Sequence, residues 1–170
     1  ILYDKSGLYD TLRAVVEKNA EEDGMPVELW QSTTGITRNW QYLGDLQPYM
    51  LNFLENHDEQ RFASDFFGKD AAGTSAPLYV SLCLNTAPFM IYFGEEVGER
   101  GMDEEGFSGR DGRTTIFDWW SVSSVRRLRK LIASGSYEAS SISALVKGGL
   151  KKEEAETFMR FTKAVRLASS

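Results

Sequence analysis

The single histidine of this chain, His57, stands in the run Asn52-Phe53-Leu54-Glu55-Asn56-His57-Asp58-Glu59-Gln60-Arg61, with acids on both sides and an arginine close behind. Imidazole titrates near neutral pH and neighbouring carboxylates accept or hold protons, so these types at this spacing fit proton transfer. Upstream, Met50, Leu51, Phe53 and Leu54 form a short apolar run behind Pro48, which suits a strand buried on both faces of a parallel sheet. A strand ending in Glu-Asn-His-Asp puts ionisable groups where pairing stops and a loop begins. Proteins with parallel sheets place substrates and catalytic side chains there. A plainer reading competes: Asn56 and Asp58 can cap a following helix by accepting hydrogen bonds from its free N–H groups. On the triplet alone, both readings stand.

The elements that would position this cluster alternate between strand and helix patterns. Ile1-Leu2-Tyr3 reads as the tail of a strand, and a helix from about Ser6 to Asn19 carries Leu8, Leu12, Val15 and Val16 at helical spacing. Pro26 to Leu29 reads as a short helical turn, residues 33–37 as a polar loop, and Trp30, Trp40 and Tyr42 as core or helix-face residues. Beyond the cluster, a helix from about Thr74 to Asn85 is almost wholly apolar or small and is expected to be strongly buried. Pro88 to Phe93 is a second clear strand ending in Gly94-Glu95-Glu96. Val97 to Asp118 is glycine-rich and aperiodic, which predicts a long loop. Two helices, about Val122 to Ser134 and about Lys151 to Leu167, finish the chain across a linker of small residues. In the last helix Ala155, Phe158, Met159, Thr162 and Val165 mark one apolar stripe. Strand-helix alternation implies a parallel sheet with helical crossovers.

Bulk composition narrows the function classes. The 170 residues are 42% hydrophobic and 12% aromatic, enough for one sizeable core and read as a single soluble unit. A net charge of -6, with no basic block interleaved with aromatics, argues against nucleic-acid binding. Arg126, Arg127, Arg129 and Lys130 share a helical pattern with Val125, Leu128 and Leu131 and read as a solvated face. Cys83 is alone, so no internal disulfide forms, and it reads as a buried apolar residue. No transmembrane or secretory segment is visible, and localisation stays open. The opening at Ile1, already within an apolar pattern, reads as a piece of something longer.

Phe53-Leu54-Glu55-Asn56-His57-Asp58 resembles the fourth conserved region of the α-amylase family, glycoside hydrolase family 13: an apolar pair, a variable residue, then Asn-His-Asp. Ala87-Pro88-Phe89-Met90-Ile91-Tyr92-Phe93-Gly94-Glu95-Glu96-Val97-Gly98 looks like that family's eighth barrel strand. Arg110-Asp111 through Arg113, with Asp118-Trp119-Trp120, resembles the loop that follows it, and Leu2-Tyr3-Asp4-Lys5 with Gly7-Leu8-Tyr9-Asp10 is similar to the sixth strand and helix of members from bacterial glucan-using systems. The resemblance covers nearly the whole chain. It implies an α/β fold, a partial TIM-type (β/α)8 barrel of about the last three strand-helix units, making residues 1–170 the C-terminal part of an amylase-like catalytic domain.

What the resemblance implies for chemistry is equally specific. A retaining glycosidase needs a carboxylate nucleophile and a carboxylic acid roughly 5–5.5 Å apart around an oxocarbenium-like transition state. In the family those two acids belong to the fourth and fifth strands, which the resemblance places upstream of Ile1. Asp58 takes the place of the third acid, which binds sugar hydroxyls and stabilises the distorted ring. His57, Arg61 and Asn56 are implied as substrate-binding, while Glu95, Glu96 and Arg113 are implied as structural groups near the site. The expected parent is a hydrolase of α-1,4-linked glucans such as starch and maltooligosaccharides, the isolated chain being inactive. A non-catalytic carbohydrate-binding or scaffold protein is the alternative. Trp119 and Trp120 either stack on sugar rings or, as the commoner outcome, are buried; Asp4 is a further candidate at the site. No cofactor is implied for these residues, and family members often hold calcium near an inserted domain that has no counterpart here. Open sheet edges and apolar faces imply a partner, either the missing barrel half or a second copy of the chain.

Overall fold

The computed structural model describes residues 2–17, 21–22, 25–26, 41–103, 110–117, 119–138 and 140–170. They divide into two compact units: Ile1–Leu54 with Ala76–Met90, and Glu55–Ser75 with Ile91–Ser170. Trp30, Trp40 and the loop over residues 33–37 lie outside the described residues, as does Asp118.

In the first unit, strands β1 (Leu2–Tyr3), β4 (Met50–Phe53) and β5 (Phe89–Met90) form a parallel sheet in the order β1-β4-β5. Its register pairs Leu2 with Met50, Tyr3 with Leu51, Asn52 with Phe89 and Phe53 with Met90. A separate antiparallel pair joins β2 (Glu21–Glu22) to β3 (Met25–Pro26), so Pro26 ends a strand where a helical turn was expected. After β1 the chain makes a π-helical turn, Lys5–Tyr9, and then helix α1, Asp10–Glu17. Asp4 is buried and accepts the Leu8 N–H at 3.2 Å, which fixes that turn and occupies the side chain locally. Tyr9 stacks on Phe53 with centroids 4.9 Å apart, and Tyr3 meets the same ring edge-on at 5.4 Å. Asn52, buried in the middle of β4, donates to the Ser81 carbonyl and to Asn85 Oδ1, both at 3.0 Å. These bonds hold helix α2, Ser75–Cys83, beside the strand.

The expected partial (β/α)8 barrel is not what forms. Helical segments dominate the described residues, and their parallel sheet is limited to three strands of two, four and two residues. Parallel pairing is present, but strands this short do not make barrel staves. The strand expected over Pro88 to Phe93 shows the physical cause. Tyr92 donates its N–H to Glu95 Oε2 at 3.0 Å and the Glu95 N–H returns to the Tyr92 carbonyl at 2.9 Å, so a turn captures the backbone groups that would have continued the ladder. Helix α2 is also less covered than its composition implied: Pro77, Leu78 and Ser81 are buried, whereas Cys83, expected inside, is exposed.

The second unit is built on helices α3 (Ser123–Ala133), α4 (Ile142–Lys147) and α5 (Lys152–Ala168). Val97, Leu128, Leu131, Leu145, Leu150 and Ala155 form its core, with Phe158 and Met159 packed against it. Arg126, Arg129 and Lys130 face solvent as expected. Arg127 instead reaches Glu154 at 2.5 Å, tying α3 to the start of α5. Glu154 also accepts the Lys151 N–H at 2.9 Å, so one carboxylate both caps α5 and holds the arginine. Helix α4 fills what the sequence presents as a linker of small residues; Ser141 caps it by accepting the Ala144 N–H at 3.3 Å. The described parts of the glycine-rich segment after Val97, residues 98–103 and 110–117, form no helix or strand beyond the turn at its start. Gly112 donates to the Gly101 carbonyl at 3.1 Å, and a Cβ on Gly101 would stand 2.7 Å from Gly112 backbone, so only glycine permits that crossing.

Candidate functional site

The His57 region is built on a buried ion pair. Arg61 is fully buried; its Nη1 donates to Glu55 Oε2 at 2.6 Å and its Nη2 to the Phe93 carbonyl at 2.6 Å. Nε and Nη2 both donate to Thr114 Oγ1, at 2.9 and 2.6 Å, and the guanidinium lies 4.3 Å from the Tyr92 ring centroid and 5.0 Å from that of Phe93. The Tyr92 hydroxyl completes the arrangement by donating to the Thr114 carbonyl at 2.9 Å, while Glu55 Oε1 accepts the Phe62 N–H at 2.8 Å. Three stretches distant in sequence, at 55–62, 92–93 and 114, thus meet on one planar cation, a geometry arginine supports and lysine does not.

Two further carboxyls crowd this cation. Burial pushes the Glu95 carboxyl well above its ordinary value, and repulsion from Glu55 adds to the rise. Glu55 itself is raised by burial, which outweighs the attraction of Arg61. One cation shared among these acids favours an ionised Glu55, which Arg61 contacts directly, and a protonated Glu95, whose Oε1 has no hydrogen-bond partner. Glu96 is likewise raised by burial, with Oε2 unpartnered, and lies beside Ile91, Phe161, Thr162 and Val165.

Above this platform the loop turns outward. Asn56, mostly buried, accepts the N–H groups of Asp58 at 2.8 Å and Glu59 at 3.0 Å through Oδ1. This is the bonding expected of a helix cap, yet no helix follows: residues 57–60 form an open bend. The bend exposes the next two side chains, His57 to 48% and Asp58 to 76%, with His57 Nε2 3.4 Å from Asp58 Oδ2. They line a cleft of about 460 Å³ with Asp111, Arg113, Thr115, Ile116 and Phe117. Arg113 grips Asp111 at 2.6 Å. Burial opposes charge on Asp111, but the Arg113 side-chain and backbone hydrogen bonds outweigh it and hold the carboxyl below its ordinary value. The Arg113 guanidinium is raised first by its hydrogen bond to Asp111, and also by the fields of Asp58 and Glu59.

The residues singled out from sequence therefore fall into three groups. His57, Asp58 and Arg113 reach the cleft; Asn56 shapes the loop; Glu55, Arg61 and Glu95 form the buried support. Thr114 and Phe117 were not singled out. Their signal lay in the stretch just after Arg113, where a buried hydroxyl and an exposed aromatic stand three residues apart. Trp119 and Trp120, for which burial was the commoner expectation, are exposed.

Chemically, the cleft offers an imidazole, an open carboxylate, a fixed ion pair and an apolar wall, a set suited to gripping a polar ligand with apolar faces. Among the described residues, no group of three or more His, Cys, Asp or Glu side chains could hold a metal ion, and no helix is long and apolar enough to cross a membrane. Comparison with protein-family models, curated proteins and solved structures gives no match to this chain.

Proposed function

We propose that this chain supplies the substrate-gripping part of an α-amylase-type retaining glycoside hydrolase acting on α-1,4-linked glucans. The observation that carries the reading is the pairing of His57 and Asp58, side by side on an exposed bend whose base is fixed by the buried Glu55–Arg61 pair. In this role Asp58 accepts hydrogen bonds from sugar hydroxyls and stabilises positive charge on the ring, His57 donates to the same sugar, and Arg61 acts as a positioning residue through Glu55 and Thr114. Arg113, locked to Asp111, supplies a further cation at the cleft wall.

Nucleophile and proton donor are not among these residues under this reading. Asp111 is held ionised by Arg113, and the raised carboxyls of Glu55 and Glu95 are buried, so neither set provides an accessible acid for the leaving oxygen. The same observation favours a second reading, a carbohydrate-binding protein without hydrolysis. Calorimetric titration with maltoheptaose tests both: binding by the unaltered chain that Asp58→Asn weakens supports the shared glucan site, and absence of binding overturns it. Reducing-sugar release from starch that Asp58→Asn abolishes would overturn the assignment of an inactive chain.

A further inference from the structure

We propose, independently of the glucan reading, that the cavity walled by Ile91, Phe161, Thr162 and Val165, with Glu96 and Arg166 as its charged groups, binds a small monocarboxylate that carries an apolar tail. The cavity measures about 300 Å³, lies wholly within the second unit and shares no residue with the His57–Asp58 cleft. That volume is at the small end of the roughly 300–1,000 Å³ typical of ligand sites, which suits a short tail and not a polymer.

The helix and the turn before it supply complementary surfaces. Phe161 and Val165 stand four residues apart on α5, as do Thr162 and Arg166, so an apolar row runs beside a row that ends in a guanidinium. Thr162 Oγ1 donates to the Phe158 carbonyl at 2.8 Å and brings no free donor to the wall. Ile91 adds an apolar surface that is 46% exposed. Both charged groups are unspent: Glu96 Oε2 is buried without a hydrogen-bond partner, and among the described residues Arg166 has no acid partner. A buried oxygen left unbonded is costly, and a ligand that meets it recovers that cost on binding. Burial raises the Glu96 carboxyl, which favours the protonated form and makes it a donor. A carboxylate satisfies both groups at once, one oxygen accepting from Glu96 while Arg166 supplies the counter-charge. An ammonium would meet the like charge of the guanidinium, and an alcohol would leave that charge unanswered. A sugar would bury hydroxyls against Ile91, Phe161 and Val165 without partners.

The test titrates octanoate, octanol and octylamine, which share one apolar tail, into the 170-residue chain by calorimetry in mildly acidic buffer. Octanoate is expected to bind about tenfold tighter than octanol, as a charge-assisted pair predicts. Arg166→Met removes that advantage, and because Arg166 is exposed the fold is kept, so this variant decides the question even if a change at Glu96 destabilises the chain. Glu96→Leu also lowers octanoate affinity, whereas Glu96→Gln, which keeps a donor, restores it to within about twofold. Octanol binding as tightly as octanoate means an apolar groove only and overturns the proposal. Octylamine binding tightest means an ionised Glu96 as the anchor and overturns it too. Octanoate affinity that Arg166→Met leaves unchanged is adventitious, and absence of octanoate binding is equally fatal. Unaltered protein gives a second readout: nuclear Overhauser effects from the octanoate chain to the Ile91 and Val165 methyls are expected, and their absence at saturation sinks the proposal. Maltoheptaose should leave octanoate affinity unchanged; competition between them would put octanoate in the His57 cleft and end the case for a separate site.

Discussion

Arg61 ties three distant stretches of the chain together, because its guanidinium is fully buried and joined to Glu55, Thr114 and the Phe93 carbonyl. Replacing it by methionine keeps much of the volume but leaves Glu55 buried without its counter-ion, an uncompensated charge that costs about 3–5 kcal/mol. Arg61→Met should therefore shift the urea midpoint strongly downward, and a midpoint within error of the unaltered protein would contradict the pivotal role. The acids around it fix a pH dependence as well. Glu95 and Glu96 have folded-state values above the ordinary 4.5, so at these two groups the folded chain binds protons more tightly than the unfolded chain. Their contribution to stability is thus fully present below the ordinary glutamate value and is lost as pH rises through the folded values. Asp111 has the opposite sign: its value lies below 3.8, and its contribution is lost as pH falls through that range. Denaturant melts across the acid-to-neutral range should show stability declining as pH rises, with Glu95→Gln flattening the decline; a slope that Glu95→Gln leaves intact would assign it elsewhere. The sequence made the grouping of Glu55, His57, Asp58 and Arg61 visible. It did not separate inward from outward groups, because that depends on Thr114 and Phe93, 53 and 32 residues from Arg61.

At the scale of elements, the same limit appears as a contrast between α5 and α4. Helix α5 was readable because its apolar positions recur over 17 residues; α4 spans 6, too short for a period to register. Yet Leu145 from α4 is completely buried in the core with Leu131, Leu150 and Val97. Leu145→Ala should cost about 2–5 kcal/mol, as a cavity forms where these side chains cannot fully collapse. Ser141→Ala, removing a surface cap, should cost only about 0.5–1 kcal/mol. Guanidinium melts of the two variants check the order, and a reversed ranking would mean that α4 is held by its cap and not by its core contact. Strands failed in the opposite direction. Pro88 to Phe93 carries an apolar strand signature, but ladder formation ends at Met90 because the Glu95 carboxylate captures the Tyr92 N–H, an interaction no apolar pattern encodes. Gly68 shows tertiary demand at its plainest: a Cβ there would stand 2.3 Å from the Phe62 ring, so Gly68→Ala must displace the Phe62–Phe67 pair beneath the loop.

For the molecule as a whole, alternation of strand and helix patterns suggested a piece of a barrel, whereas the described residues form a small three-stranded parallel sheet in one unit and a helical core in the other. The proposed sugar site escapes that correction, since every residue of the cleft and of its buried support belongs to the second unit. A ligand bound only by the folded form stabilises it by mass action, about 2.7 kcal/mol at a hundred times the dissociation constant. Maltoheptaose should therefore raise the melting temperature of the chain in a concentration-dependent way, and Asp58→Ala should abolish the rise without lowering the melt of the free protein, because Asp58 is largely exposed and contributes little to packing. Arg61→Met separates support from contact: it should lower the melt of the free protein, and at a temperature where it remains folded it should bind maltoheptaose more weakly through a displaced loop. If Asp58→Ala keeps the full thermal shift, the acid does not face the sugar, and the cleft at His57 is not where the glucan sits.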